Sequence, residues 1–459
     1  MLTEKSSSTL RSLAVLAALS LSTAASALAQ ATPADLASVP APPSATPPPR
    51  TWIDAETGHR VIRLTDEPGS ASFYFNYNPF TPDGKKMVYT TPDGISVLDL
   101  TTFQTKQIVS APNRAAHTII VGHKTPTIFY TELTTPGDTN FSTVWSANVE
   151  TGEVKKLVDL PRRASVVTIN ADETLGCGSY LEGDATGPGG YGGGSGAARA
   201  GMGKLNQGEP LNKGAMMAQR LAARLPITMF TVNLQTGQIT KLIEHSTDWL
   251  NHMQFSPTDP TLLLYCHEGL WWLVDRIWTI RTDGTQNQLI HQRTMQNEYA
   301  GHEWWAADGK TVMYQLHDPR SIGSFIASYN VDTHERIWYH YTSDQSSIHD
   351  NSSPDGTMFC GDGDGRSPWI FLFHPVIVKD MKTLGTNLIR TGTLDAEKLV
   401  TMTKTDLHAT HNYRLEPNPM FTPDEKYVIF RSNMFGPDYS FAVEVAKAPV
   451  PEPTKPNSP

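Results

Sequence analysis

Apolar positions in this chain fall into short runs of strand type, and polar turn signals separate them. LLLYC (262–266), TVMYQL (311–316) and YVIFRS (427–432) are typical runs. Ahead of such runs stands a recurring theme, F-x-P-D-G-K. Clear copies start at Phe80, Phe255, Ala306, Ser353 and Phe421, with weaker ones near Ile119 and Ile169. Pro-Asp-Gly is a tight-turn sequence, with Gly or Asp supplying backbone angles that other residues resist. A second theme, x-D-x-x-T-G, recurs as ANVETG, VNLQTG and, in shortened form, VDTHE. Four short strands per copy at roughly 45–70 residues per repeat is the arithmetic of a propeller. Seven copies predict an all-β, seven-bladed β-propeller. A stack of separate β-sandwiches is the alternative, and it leaves the single repeated theme unexplained. TGHRVIRLTD (57–66) reads as an orphan outer strand, matching TGEVKKLVDL and TGQITKLIEH in form. It is expected to complete the last blade and remove a free edge.

The repeats set the boundaries. Residues 1–29 read as a secretory signal, with Lys5 and Arg11 at the start, an apolar core Leu13 to Ala25, and Ala27-Leu28-Ala29 before Gln30. The apolar run is too short to span a bilayer comfortably, and no later segment has the length to cross one. A periplasmic or secreted location is expected. Residues 30–50 are a Pro/Ala-rich linker, 51–447 the propeller, and 448–459 a Pro-rich tail. A Gly-rich insertion occupies 183–214. Its Gly187, Gly189 and Gly192 mimic a G-x-G-x-x-G, but no strand precedes them in the required way, so a nucleotide site is excluded. A short helix at Ala215–Leu225 is expected to carry Arg220 and Arg224 on its polar side.

Composition narrows the partners. Of 459 residues 39% are hydrophobic and 18% charged, with a formal net charge of -9. Removing 1–29 makes the balance one unit more negative, because that segment holds Lys5 and Arg11 against Glu4. General nucleic-acid binding needs a basic surface and is excluded. Three widely spaced cysteines, Cys177, Cys266 and Cys360, give no disulfide framework and read as buried free thiols.

The chemistry concentrates between Trp249 and Trp305. WLNHMQF, LLLYCHEGLWWLVDRIW and AGHEWW place His252, His267, Glu268, Arg276, His302 and Glu303 at the ends of apolar runs. Such side chains are costly to bury unless paired or used. HEGLW and HEWWA lack the second His of a zinc-protease helix. GDGDG (361–365) lacks the spacing of a calcium loop, so Asp362 and Asp364 are read as turn formers. Trp271, Trp272, Trp304 and Trp305 are candidates to stack on a sugar ring, at most one of each adjacent pair.

The order of the pieces carries a resemblance. W-L-x-H, C-H-E-G, V-D-x-R-x-W, H-E-x-W, S-x-H and P-x-P-x-F-T-P-D, in that sequence, resemble oligogalacturonate lyase, polysaccharide lyase family 22. The resemblance covers roughly residues 52–447 and is dense from Trp249 onward. It implies a seven-bladed propeller that cleaves short galacturonides by β-elimination with a bound manganese-type ion. It also implies a His base at His302, an Arg at Arg276 and a metal ligand at His349. The family's remaining ligands, Gln-x-x-His-x-His, fall on Tyr413, Glu416 and Asn418. Glu416 and Asn418 still offer oxygen, share one face if they lie on a strand, and suit manganese or calcium better than zinc. His411 or His408 stands near enough in sequence to restore a nitrogen ligand. The metal set is therefore His349, Glu416 and Asn418, and the substrate-binding set His252, His267, Glu268, Tyr413 and His411. An export signal is a further departure, since the family's familiar members are cytoplasmic.

The residue types suit the reaction. The C5 proton of a uronate is hard to remove beside a charged carboxylate, so a cation or Arg must neutralise it and hold developing charge. A neutral imidazole can then take the proton. An acidic oligosaccharide is the expected partner. The rivals are a lyase for another uronate glycan and a non-catalytic propeller that binds a glycan or a protein.

Overall fold

The computed structural model describes residues 48–183, 213–319, 322–364, 367–378, 389–402 and 416–449. The signal segment, almost all of the linker, most of the Gly-rich insertion, His408, His411 and Tyr413 lie outside them.

Each turn theme does what its sequence demands. It joins the first strand of a meander to the second. In FTPDGK, Gly84 sits at φ 69°, and Gly309 and Gly356 take the same left-handed conformation in their copies. In the last copy Glu425 stands where these three have Gly and is held at φ 59°. The runs that follow are strands: Lys86–Thr91, Leu262–Glu268, Thr311–His317 and Tyr427–Ser432.

Strands dominate, and they form six sheets among the described residues. Three of these are simple four-stranded antiparallel meanders, such as Trp249–Phe255, Leu262–Glu268, Ile277–Arg281 and Gln288–Leu289. The eight-stranded sheet is two such meanders joined edge to edge, through a parallel pairing of Arg336–His340 with Arg390–Thr401. The three-stranded sheet, Lys86–Thr91 to Thr105–Ser110, has an inner edge reduced to the bridges Ala71↔Thr90 and Phe80↔Met87. The expected outer strand is present. His59–Arg63 pairs with Tyr439–Lys447 from the far end of the chain, and Thr51–Ile53 adds to it.

The core lies between sheets. Several hydrophobic clusters are shared by sheets that follow one another in sequence, for example Val166 and Phe230 with Phe129 and Val144. One cluster unites both chain ends, packing Met87 and Ile128 with Met420, Ile429 and Ala442. Apolar burial thus links the first sheets to the last, and that supplies the driving force for closure. Cys177, Cys266 and Cys360 are free and buried, as expected.

The helix spans Lys213–Ala223, close to its expected place. Arg220 departs from expectation. It is buried, with its guanidinium 3.6 Å from the centre of the Trp249 ring, while Arg224 pairs with Asp248. A cation over an indole face tolerates burial better than one facing aliphatic side chains.

Candidate active site

A repeated backbone device aims the candidate side chains. The pairing of Trp249–Phe255 with Leu262–Glu268 slips between Asn251 and Gln254, and His252 sits in the slip at φ 50°. The pairing of Tyr299–Trp305 with Thr311–His317 slips between Gly301 and Trp304, and His302 sits there at φ 47°. Thr118 occupies the same place in His117–Val121, at φ 46°. A bulge re-aims the residue it holds, and a left-handed non-glycine costs on the order of 1–3 kcal/mol. The strain recurs at first strands of meanders, where His252 and His302 are presented.

His302 lies beside His349, with ring centres 4.8 Å apart. Its Nδ1 is 3.0 Å from the Tyr299 hydroxyl and 2.9 Å from Gln315 Oε1. His349 is 1% exposed, and its Nδ1 is 2.7 Å from Asp362 Oδ2. Asp362 Oδ1 also accepts the backbone N–H groups of Ile348 and His349. Asp362 is therefore no mere turn former; it orients His349. Asp364 keeps the turn role, accepting from the Ser367 N–H. Phe75 and Tyr74 wall the pair, each with its ring centre 5.2 Å from that of His349. Burial pushes the Tyr74 hydroxyl well above its ordinary pKa, and the Glu416 carboxylate adds to the effect.

Arg276 stands in a buried fork. Its Nη1 donates to Glu268 Oε1 at 2.5 Å, its Nη2 to Glu268 Oε2 at 3.3 Å, and its Nε to Glu303 Oε2 at 3.3 Å. At 4% exposure, with both terminal nitrogens engaged, it is not an open clamp for a sugar carboxylate. The expectation of an open substrate contact did not include these partners: Glu303, the neighbour of His302, helps tie the guanidinium in. Burial alone would raise the Glu268 carboxyl, but the Arg276 charge and His252, 3.1 Å away, bring it well below the usual range.

His267 is on the other face of its strand. It stacks on Trp278 at 4.9 Å, points Nδ1 at Asp248 Oδ2 3.3 Å away, and titrates low because it is buried. A period-two strand turns His267 and Glu268 to opposite faces, so His267 stands with Asp248 and Trp278 rather than with Arg276. His252, Thr118, Tyr74, Glu416 and Arg431 line one cavity of about 660 Å³, and His302 and His349 lie beside it through Tyr74. His411 and Tyr413 fall outside the described residues.

The expected ligand set fits a cation only in part. His349, with Nδ1 on a carboxylate, has the arrangement that orients a metal-binding imidazole through Nε2. Glu416 brings a carboxylate to the cavity. Asn418 does not fit. Its Oδ1 accepts the Phe75 N–H at 3.1 Å, and its Nδ2 donates to the Glu416 carbonyl at 2.5 Å. Nor do the two residues share a strand face, because the strand begins at Met420 and both are left-handed, at φ 56° and 51°. Among the described residues one close grouping of possible metal ligands occurs, His252, Cys266 and Glu268, with donor atoms within 4.8 Å. There the Arg276 guanidinium already pairs with Glu268, and burial pushes the Cys266 thiol well above its ordinary pKa.

Of the tryptophans, Trp304 is core, bonded to Ser352, and Trp305 donates to the Gln254 carbonyl. Trp272 is exposed, and Trp271 meets the Tyr299 ring edge-on at 4.8 Å. Sequence reasoning missed Gln315, Tyr299 and Tyr74 as partners of the histidines. A Gln inside the apolar run TVMYQLH was the available signal for the first; the others looked like ordinary core aromatics.

A family model described as oligogalacturonate lyase matches residues 209–449, more than half of the chain. The chain belongs to this family. It is 25% identical over 423 residues to the oligogalacturonate lyase of Dickeya dadantii (strain 3937), covering 87% of this chain and 96% of that protein. An oligogalacturonate lyase solved in complex with manganese has a similar fold, with TM-score 0.66 at 22% identity over 86% of this chain and 96% of that one. The oligogalacturonate lyase from Vibrio parahaemolyticus gives TM-score 0.65 at 21% identity over the same shares. Family membership thus rests on the same C-terminal half that holds His302, His349 and Arg276.

Proposed function

We propose that this member of the oligogalacturonate lyase family is a lyase that cleaves short, oligogalacturonide-like chains by β-elimination, with His302 as base. The observation that carries the reading is the pairing of His302 with His349 beside a cavity that also holds His252 and Glu416. A neutral imidazole, with an unperturbed pKa of about 6.5, takes the C5 proton. The C5–H electron pair becomes the C4–C5 double bond as the C4–O bond breaks; the C4–O pair stays on the departing sugar's oxygen, which takes a proton from solvent or from the His302 imidazolium, and the remaining fragment ends in a 4,5-unsaturated sugar. Arg276, held between Glu268 and Glu303, balances those carboxylates next to the strand that carries His302. A divalent cation would be held by His349 and Glu416, and would supply charge neutralisation at the sugar carboxylate. The rest of its ligand shell differs from the family pattern at Asn418.

The architecture we infer is a seven-bladed propeller. Support comes from the chain of shared clusters, the N-terminal strand in the last sheet, and the two meanders inside the eight-stranded sheet. We also propose export, on the strength of residues 1–29. No helix among the described residues is long and apolar enough to cross a membrane.

The test is incubation with oligogalacturonides and other uronate oligomers, with divalent ions supplied, followed by the ultraviolet absorbance of an unsaturated uronate. Product from oligogalacturonides supports the reading. The altered positions Glu416 and Asn418 favour a second one, a lyase for a different uronate glycan, which product from non-pectic substrates alone would select. Silence on every substrate would leave a glycan- or protein-binding propeller.

A further inference from the structure

We propose that Gln315 is a positioning residue that fixes His302 as the Nδ1–H tautomer, so that Nε2 is the nitrogen presented as base. This rests on the reading of His302 as the proton acceptor.

Gln315 is 1% exposed and lies in Thr311–His317, the strand paired with that of His302. Its Nε2 donates to the Ser347 carbonyl at 2.8 Å and to Asp350 Oδ2 at 2.6 Å. Both amide hydrogens therefore meet acceptors supplied by the next meander. Rotating the amide by half a turn would set Oε1 against a carbonyl that can only accept, inside a buried site. The amide is thus locked with Oε1 toward His302 Nδ1, 2.9 Å away.

An amide oxygen carries no hydrogen, so the imidazole nitrogen facing it must. The Tyr299 hydroxyl, 3.0 Å from the same nitrogen, has an oxygen that accepts as well and does not disturb this assignment. In a neutral imidazole the lone pair then resides on Nε2. His349, whose Nδ1 is on Asp362, is held by the same logic with a carboxylate in place of the amide. The neutral amide at His302 orients the ring without adding a negative charge beside it. A base that must release its proton after each turnover gains from that choice.

Histidine-labelled protein, with ring nitrogens assigned by comparison with His302→Ala, reads the tautomer by nitrogen NMR. Wild type is expected to show Nδ1–H at His302. Gln315→Met keeps bulk and removes the acceptor. It should populate the Nε2–H form and lower kcat by about 10- to 100-fold with KM unchanged. Gln315→Glu restores an oxygen on Nδ1 but loses the amide hydrogens that Ser347 and Asp350 accept and adds a charge, so it should return the Nδ1–H signal while kcat stays below wild type. A wild-type spectrum with Nε2–H, or a folded Gln315→Met with unaltered tautomer and kcat, would overturn the proposal. Should Gln315→Met fail to fold, the wild-type spectrum and Gln315→Glu decide. Turnover retained in His302→Ala would remove His302 as base but leave the tautomer signal to judge Gln315.

Discussion

Two arcs of the molecule approach the same cavity and behave differently. One runs from Trp249 to Gln315. Its residues interlock through side chains: His252 to Glu268, Glu268 to Arg276, Arg276 to Glu303, and His302 to Gln315. The other runs from Glu416 to Phe421. There the contacts are to backbone: Asn418 to the Phe75 N–H and the Glu416 carbonyl, and Arg431 Nε to that same carbonyl. The first arc keeps the residue types of the family pattern and builds them into a preorganised group. The second departs from the pattern, and one of its two altered residues serves the fold. A ligand position can change hands when the backbone around it still needs a polar partner.

The sharpest way to break this contrast is at His302, the proposed base. His302→Ala should lower kcat/KM by about 10²–10⁴-fold in the ultraviolet assay; near-normal turnover would move the chemistry to the other arc. Next comes the fork. Arg276→Ala strands Glu268 and Glu303 as buried carboxylates, and should cost about 3–5 kcal/mol in denaturant unfolding. If stability is unchanged, the first arc is not interlocked.

The second arc is probed by a pair. Asn418→Ala removes two bonds to backbone and should cost about 1–3 kcal/mol in thermal or denaturant unfolding, with divalent-ion affinity measured by calorimetry unaltered. Glu416→Ala should do the reverse, weakening ion binding while stability stays within about 0.5 kcal/mol. Matching effects from the two would merge them into one role. The smallest effect is expected at the rim. Trp271→Ala should raise KM by about 2- to 10-fold if its ring stacks on a sugar, with little change in kcat. An unchanged KM would confine Trp271 to packing on Tyr299.

Much of this organisation was legible beforehand. The turn themes mark where first strands meet second ones, and TGHRVIRLTD carries the period of an outer strand. Both are local signals, and local backbone chemistry enforces them wherever they stand. Motif order singled out His302 and His349, and the structure sets their rings 4.8 Å apart. Arg276 was legible as a functional type but not in its partners, since Glu268 and Glu303 come from strands of two different sheets. His267 turns away from Glu268 because adjacency in sequence places two strand residues on opposite faces. Arg220 was misread because helical periodicity cannot know that Trp249 waits on that side.

The sequence by itself determined the strand-and-turn rhythm, the burial of the three cysteines, the closing strand and the pair of imidazoles worth testing. Those depend on composition and short-range order. Only the tertiary structure decided that Arg276 is locked between carboxylates, that Asn418 serves backbone, and that Gln315 faces His302. Hydrogen-bond partners in a buried site are chosen by distance and direction across sheets far apart in the chain. No spacing along the sequence encodes those directions.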